Sequence, residues 1–159
     1  MPEVIMLCGR IAAGKSYYAD RLRANGAVVL SADDLMLSLF DGCLGDKHDE
    51  IVLATERYFC TLAPQIVRTG ADVVLDYGHW SRSLRDAVRT LCRRAGLDCR
   101  LHYITADDAT RRARLKKRNA ENAAKPGRQY IIDAALLERL DAKFEAPEAW
   151  EIDQMVENG

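Results

Sequence analysis

The stretch Gly9-Arg10-Ile11-Ala12-Ala13-Gly14-Lys15-Ser16 constrains this chain more than any other. It fits G-x-x-x-x-G-K-[S/T] at every fixed position. An apolar run, Val4–Cys8, precedes it and reads as a buried strand. Residues 15–25 follow as a helix that Gly26 closes. Gly9 and Gly14 let the backbone wrap without Cβ interference, so that successive N–H groups converge on a concavity. The positive end of the following helix dipole points at the same place. Such a loop, including Ala12, Ala13 and Tyr17 at its flank, is suited to cradling phosphates. Lys15 is then spaced to bridge β- and γ-phosphates, and the Ser16 hydroxyl to ligate Mg²⁺. The competing reading is a glycine-containing strand-to-helix turn without a ligand.

The 159 residues are enough for one domain with a real core. Apolar residues make up 48% and charged residues 30%, the profile of a globular chain. A net charge of −1 gives no support for coating DNA or lying on a membrane surface. No apolar run approaches a membrane span of about 18 residues. The N-terminus lacks a basic leader and reads as a strand, not a signal peptide. The five cysteines form no C-x-x-C pair, which fits a reducing, cytoplasmic setting.

Short apolar runs alternate with amphipathic segments. Strands are expected at 27–31, 72–75 and 99–104, and helices at 33–40, 49–69, 81–95 and 107–119. Pro64 should kink the long helix or start a new turn. In the 81–95 helix, Leu84, Val88, Leu91, Cys92 and Ala95 share one face. A loop is expected at 120–129 around Pro126-Gly127. Asp133 can cap a last helix in which Leu136, Leu137, Leu140 and Phe144 share a face. A short strand at 152–156 is the only candidate for a fifth. The alternation implies a parallel sheet covered on both faces.

Further acidic and basic residues gather around the loop. Asp33 and Asp34 follow the second strand, and ligands of open parallel sheets bind beyond the carboxyl ends of strands. Asp33 can take a proton from an attacking hydroxyl or hold a metal-bound water. Helix capping is the competing reading, more so for Asp34. Asp76 ends the third strand, the arrangement that aims a carboxylate at the metal. In the next loop, His79 is a substrate contact or a solvated histidine. Trp80 is a packing residue or a pocket wall, and Arg82 is a candidate substrate clamp. Residues 110–118 carry six basic side chains. Arg111, Arg114 and Arg118 share a helical face. They read as a lid over a nucleotide, as a solvated face, or as an RNA contact, although the aromatic residues of a stacking platform are missing. No N-K-x-D or D-x-x-G motif supports a GTPase. No acidic pair ends the third strand as in a water-activating ATPase. No His/Cys spacing suggests zinc.

With these motifs in order, the chain resembles the small P-loop kinase-like proteins of the "AAA family ATPase" or "predicted kinase" group. That group is related to polynucleotide 5′-kinase, chloramphenicol phosphotransferase and zeta toxins. The resemblance runs from about residue 4 to 148. It rests on the phosphate loop, Val28-Val29-Leu30-Ser31-Ala32-Asp33-Asp34, Val74-Leu75-Asp76-Tyr77-Gly78-His79-Trp80-Ser81-Arg82, Leu101-His102-Tyr103-Ile104, Arg114-Leu115-Lys116-Lys117-Arg118-Asn119 and Phe144-Glu145-Ala146-Pro147. It implies ATP-dependent phosphorylation of a hydroxyl, with Asp33 matching the general base and Arg114 and Arg118 matching lid arginines. Ile11, Ala12 and Ala13 replace the commoner Pro-Gly-Ser, and Tyr17 replaces Thr. Met36 replaces a substrate-side Arg, which counts against a nucleic-acid acceptor.

The expectation is therefore one α/β/α P-loop domain over 1–159, nucleoside-kinase-like. It has four or five parallel strands in the order 2-3-1-4 and a basic helical lid at about 107–130. Its chemistry is Mg²⁺/ATP phosphotransfer to a small-molecule hydroxyl. Lys15, Asp33, Arg114 and Arg118 are catalytic, and Gly9, Ala12, Ala13, Gly14, Lys15, Ser16 and Tyr17 hold the nucleotide. Ser16 and Asp76 take the metal, and Asp33, Asp76, His79 and Arg82 meet the acceptor. The rivals are a polynucleotide or nucleotide kinase, and a nucleotide-binding regulator or zeta-toxin-like module with a protein partner.

Overall fold

A computed structural model describes residues 1–40, 44–124 and 131–158. Strand β1 (Val4–Cys8) lies in the middle of the sheet and is buried along its whole length. Its side chains alternate between two cores, as the two-residue period of a strand requires. Val4, Met6 and Cys8 face one core, and Ile5 and Leu7 face the other. Burial on both faces explains why β1 reads as a continuous apolar run rather than an alternating one.

Around β1 the sheet has the order β2 (Val28–Ser31), β3 (Val73–Gly78), β1, β4 (Cys99–Thr105), β5 (Gln154–Glu157), and every pairing is parallel. The expected order of the first four strands and the fold class hold. The fifth strand is present as well. It forms an edge, pairing with His102 to Thr105 of β4 and carrying mostly exposed residues, so its sequence lacks an apolar run.

Helix α1 (Lys15–Ala24) covers the core of Ile5 and Leu7 with Tyr18 and Ala19. The other core receives Phe59 and Ala63 of α3 (His48–Val67) and Val88 and Cys92 of α4 (Arg82–Arg94). Helix α3 runs unbroken through Pro64, so the expected restart there does not occur. Proline removes one hydrogen bond near the helix end, and the packing of Phe59 and Ala63 holds the backbone in register. Helix α2 (Ala32–Leu39) is capped by Ser31, whose hydroxyl accepts from the Asp34 N–H. Asp33 and Asp34 therefore occupy its first turn and are not its cap, a correction to the capping alternative.

Helix α5 (Asp108–Ala124) extends five residues beyond the expected Asn119. The expected loop at Pro126-Gly127 lies outside the described residues, as does the end of the 107–130 lid. Helix α6 (Ala134–Ala142) begins at the predicted cap, where Asp133 accepts from the Leu136 N–H. Among the described residues, no helix is long and apolar enough to cross a membrane.

In α4 the buried stripe is rotated from the expected one. It is Arg85, Val88 and Cys92, while Leu84 and Leu91 stay 38% and 43% exposed. The cause is a buried ion pair. Arg85 Nε and Nη2 donate to Glu151 Oε1 and Oε2 at 2.9 and 3.1 Å. Arg85 Nη1 donates to the carbonyls of His79 and Glu145. A fully satisfied guanidinium can sit in a core where an unpaired one cannot.

Candidate active site

Gly9 closes the strand end so tightly that a Cβ there would lie 2.5 Å from the Ile104 carbonyl oxygen. Gly14, at φ +102°, caps α1 in the left-handed region, and a Cβ would meet the Asn158 amide at 2.6 Å. Ala12 also has positive φ, 61°. These angles curl the loop so that its amides can face inward. The loop is held from outside by arginines of α5. Arg111 Nε donates to the Ile11 carbonyl at 2.9 Å, and its other nitrogens reach Asp108 and Asp141. Arg114 donates to the Ala12, Ala13 and Asn158 carbonyls. Ala13 is buried, whereas Ser16 and Tyr17 are exposed, Tyr17 at 67%.

Lys15 arches over the loop, its ammonium donating to the Gly9 and Arg10 carbonyls at 2.9 Å each. Burial lowers its pKa, and the negative charges of Asp76 and Asp33 oppose that shift. Asp76 lies within β3, two residues before its end rather than at it as expected, and Asp33 lies in the first turn of α2, just beyond β2, which pairs with β3 at Ser31 and Asp76. Burial raises Asp76 to about 6 against the pull of Lys15, with Asp33 and Asp34 raising it further. Asp33 is open to solvent on one side, yet its pKa is also raised by burial, opposed by Lys15, His48 and Arg118. Arg118, half-buried on α5, is lowered by burial and held up by Asp33.

Lys15, Asp33, Asp76 and Arg118 thus share one cleft at the carboxyl ends of the strands. Arg114 lies outside it, against the back of the loop. Arg82 points away as well: its guanidinium stacks over the Trp150 ring at 5.3 Å and lies 3.6 Å from Asp86. His79 is 2% exposed, which corrects the solvated alternative. Its Nδ1 bonds to the Leu7 carbonyl at 2.8 Å, its ring stacks on Tyr77, and burial lowers its pKa to about 4. Trp80 packs against the core with Tyr77, and Met36 is fully buried in α2.

Sequence reasoning missed Glu56. It lies on the inner side of α3, where burial and then the charge of Asp33 raise it to about 7. The signal was a carboxylate three and four residues before Phe59 and Cys60 on an apolar stripe. It also missed Asn158, whose amide nitrogen approaches the Gly14 carbonyl at 3.5 Å, and nothing local to that residue marks it. Among the described residues, no group of three His, Cys, Asp or Glu side chains could enclose a metal ion. The oxygen donors near the loop are Ser16, Asp76 and Asp33. That set fits Mg²⁺, which keeps several waters and binds through one or two carboxylates plus phosphate oxygens.

Solved structures with this fold include Chaetomium thermophilum Kti12 in complex with ADP-AlF3. It has a TM-score of 0.71 at 16% identity over 96% of this chain and 87% of that one. A sugar kinase from Janibacter has a TM-score of 0.67 at 16% identity, covering 98% and 85%. The Mycobacterium tuberculosis APS kinase CysC, in complex with AMPPNP and APS, has a TM-score of 0.69 at 17% identity, covering 98% and 87%. Identities this low speak to the fold alone. No curated protein matches the sequence. The model of the AAA domain family AAA_33 matches residues 4–147, nearly the whole chain, and the chain belongs to that family.

Proposed function

We propose that the chain is an ATP- and Mg²⁺-dependent phosphotransferase that acts on a hydroxyl of a small molecule. One observation carries the reading: Asp33 and Arg118 both lie within electrostatic reach of the phosphate-loop lysine and of each other, without either being paired to it. A loop that binds phosphates alone needs neither a carboxylate nor a second cation there.

In this reading the loop amides and Lys15 hold the β- and γ-phosphates, with Gly9, Ala12, Ala13 and Gly14 shaping the cradle and Tyr17 at its rim. Mg²⁺ would be held by Ser16 and Asp76 and would supply charge neutralisation on the phosphates. Asp33 accepts the proton of the acceptor hydroxyl. The hydroxyl oxygen forms a bond to the γ-phosphorus, the bond to the β–γ bridging oxygen breaks, and ADP leaves with that electron pair. Arg118 faces the transferring group and offsets its charge. Arg114 acts through the loop it braces. Arg82 serves at most the rim of the acceptor side.

A nucleotide-binding regulator is the second reading, favoured by the likeness to Kti12, whose structure holds ADP-AlF3. The test is transfer of γ-labelled phosphate from ATP with Mg²⁺ to pooled nucleosides, nucleotides, 5′-OH oligonucleotides, sugars and aromatic alcohols. Label moving to one pool, and absent with Lys15→Ala, is the expected result. ATP binding with no transfer to any pool supports the regulator instead.

A further inference from the structure

The faces of α3 and α4 diverge beside β3 and leave a cavity of about 230 Å³. Its walls are apolar: Leu53 from α3, Leu84, Val88 and Leu91 from α4, and the Tyr77 ring. Leu84 and Leu91 are the residues displaced from the core when Arg85 takes the centre of the α4 stripe. A cavity of about 150 Å³ with such walls accepts benzene, so this one has room for a substituted ring.

Three polar side chains interrupt the walls: Glu56 and His79 inside, and Arg57 at the exposed rim. The Leu7 carbonyl can only accept a hydrogen bond, so the His79 Nδ1 facing it carries the proton. Nε2 of the neutral ring is then an acceptor. It is buried and has no hydrogen-bond partner among the described residues. An orphaned acceptor in a buried ring is costly unless something donates to it. Tyr77 and His79, which line the cavity, follow Asp76 at the carboxyl end of β3, and the Tyr77 hydroxyl donates to the Glu56 carbonyl, so the cavity adjoins the strand end that carries Asp76, with Glu56 in electrostatic reach of Asp33.

We propose that this cavity binds the acceptor of the phosphotransfer reaction, a neutral aromatic or alicyclic alcohol with an O–H or N–H group that donates to His79 Nε2. This rests on the phosphotransferase reading for the word acceptor, but the cavity and its donor requirement stand on their own geometry. A strongly anionic ligand is disfavoured by the Glu56 carboxyl, because the cation of the lining, Arg57, sits exposed at the rim rather than inside. A polyol is disfavoured because most of its hydroxyls would face leucine.

The test uses tyrosol, which carries an alkyl hydroxyl and a phenol, and 2-phenylethanol, which lacks the phenol. Binding is measured by calorimetry on the full chain with ADP bound. Tyrosol should bind about tenfold more tightly than 2-phenylethanol. His79→Asn keeps a donor toward the Leu7 carbonyl and suits the left-handed backbone there (φ 49°). It should erase that preference. Ala87→Trp, from an exposed position on the cavity rim, should abolish binding of both alcohols. ADP affinity in each variant reports an intact loop.

No tyrosol binding, an equal affinity for the two alcohols in the native chain, or unchanged binding in Ala87→Trp overturns the proposal. Transfer of phosphate to gluconate without tyrosol binding overturns it while leaving the phosphotransferase reading in place. Tyrosol binding with the expected variant pattern, but no phosphorylation of any alcohol, upholds the cavity and removes the kinase.

Discussion

Replacing Asp76 by Asn should stabilise the protein while removing its activity. The carboxylate is partly buried and its pKa is raised from 3.8 to about 6, mainly by burial, even with Lys15 beside it. Each pKa unit is worth about 1.4 kcal/mol, so keeping Asp76 ionised costs about 3 kcal/mol at pH 8. Partial solvent access screens some of this, and about half is a fair expectation. Asparagine has nearly the same shape and no charge, so it should return about 1.5 kcal/mol, or about 4 °C in Tm for a chain of this size. The pH dependence follows from linkage. The native state binds a proton that the unfolded state releases between pH 3.8 and about 6. Native stability therefore falls as pH rises through that window. The advantage of Asp76→Asn should be full at pH 8 and gone below about pH 4. Thermal unfolding followed by circular dichroism from pH 3.5 to 8, without nucleotide or metal, measures it. A variant that is less stable than the native chain at pH 8, or a gain that does not change with pH, would refute the reasoning.

Asp33→Asn should lower turnover by at least ~10²-fold and leave ATP affinity within a few-fold, read from steady-state kinetics and nucleotide titration. Equal losses in both would assign Asp33 to the metal or the fold. Arg85→Met should cost about 3–5 kcal/mol in urea unfolding because it strands the Glu151 carboxylate, and Arg85→Met with Glu151→Leu should recover most of that. Glu151 is raised by burial but brought down to about 2 by hydrogen bonds from Arg85, the Glu148 N–H and Arg89. Its contribution should therefore be complete above about pH 4.5 and be lost as pH falls toward 2.

The fold was legible because its signals are local. A buried strand, a glycine loop and a helix follow one another within 21 residues from Val4 to Ala24, and each remaining core strand announces itself as an apolar run. The alternation with helices implied a parallel sheet, and the order of the first four strands followed from the resemblance to P-loop kinase-like proteins. β5 was barely visible because an edge strand needs no apolar pattern. The site was legible where chemistry depends on spacing, as at Gly9, Gly14, Lys15 and Ser16. It was not legible where chemistry depends on long-range contact. Nothing in the α5 repeat tells Arg114, bound to the loop carbonyls, from Arg118, which reaches the cleft. Nothing local marks Arg85 as buried, because its partner Glu151 lies 66 residues later.

The distribution of basic groups explains why the carboxylates of the cleft are so strained. Lys15 spends two donors on the Gly9 and Arg10 carbonyls. Arg114 spends its donors on Ala12, Ala13 and Asn158, and Arg85 is shared between Glu151 and two carbonyls. Backbone oxygens therefore absorb much of the positive charge closest to the loop. Lys15 opposes the burial of Asp33 and Asp76, with His48 and Arg118 also acting on Asp33 and Arg23 on Asp76, Glu56 feels burial and the Asp33 charge, and each carboxyl is raised. Destabilised acids gathered from α2, β3 and α3 add nothing to stability, and such clusters are concentrated at functional sites. Their repulsion is relieved by whatever brings positive charge to them. In the proposed phosphotransferase a divalent ion held by Asp76 would bring two such charges to the carboxylates while the loop amides and Lys15 take the phosphates, so the electrostatics that weakens the unliganded fold would favour the ion. On that reading, the stability gained by Asp76→Asn and the metal affinity it should lose are two measures of one interaction.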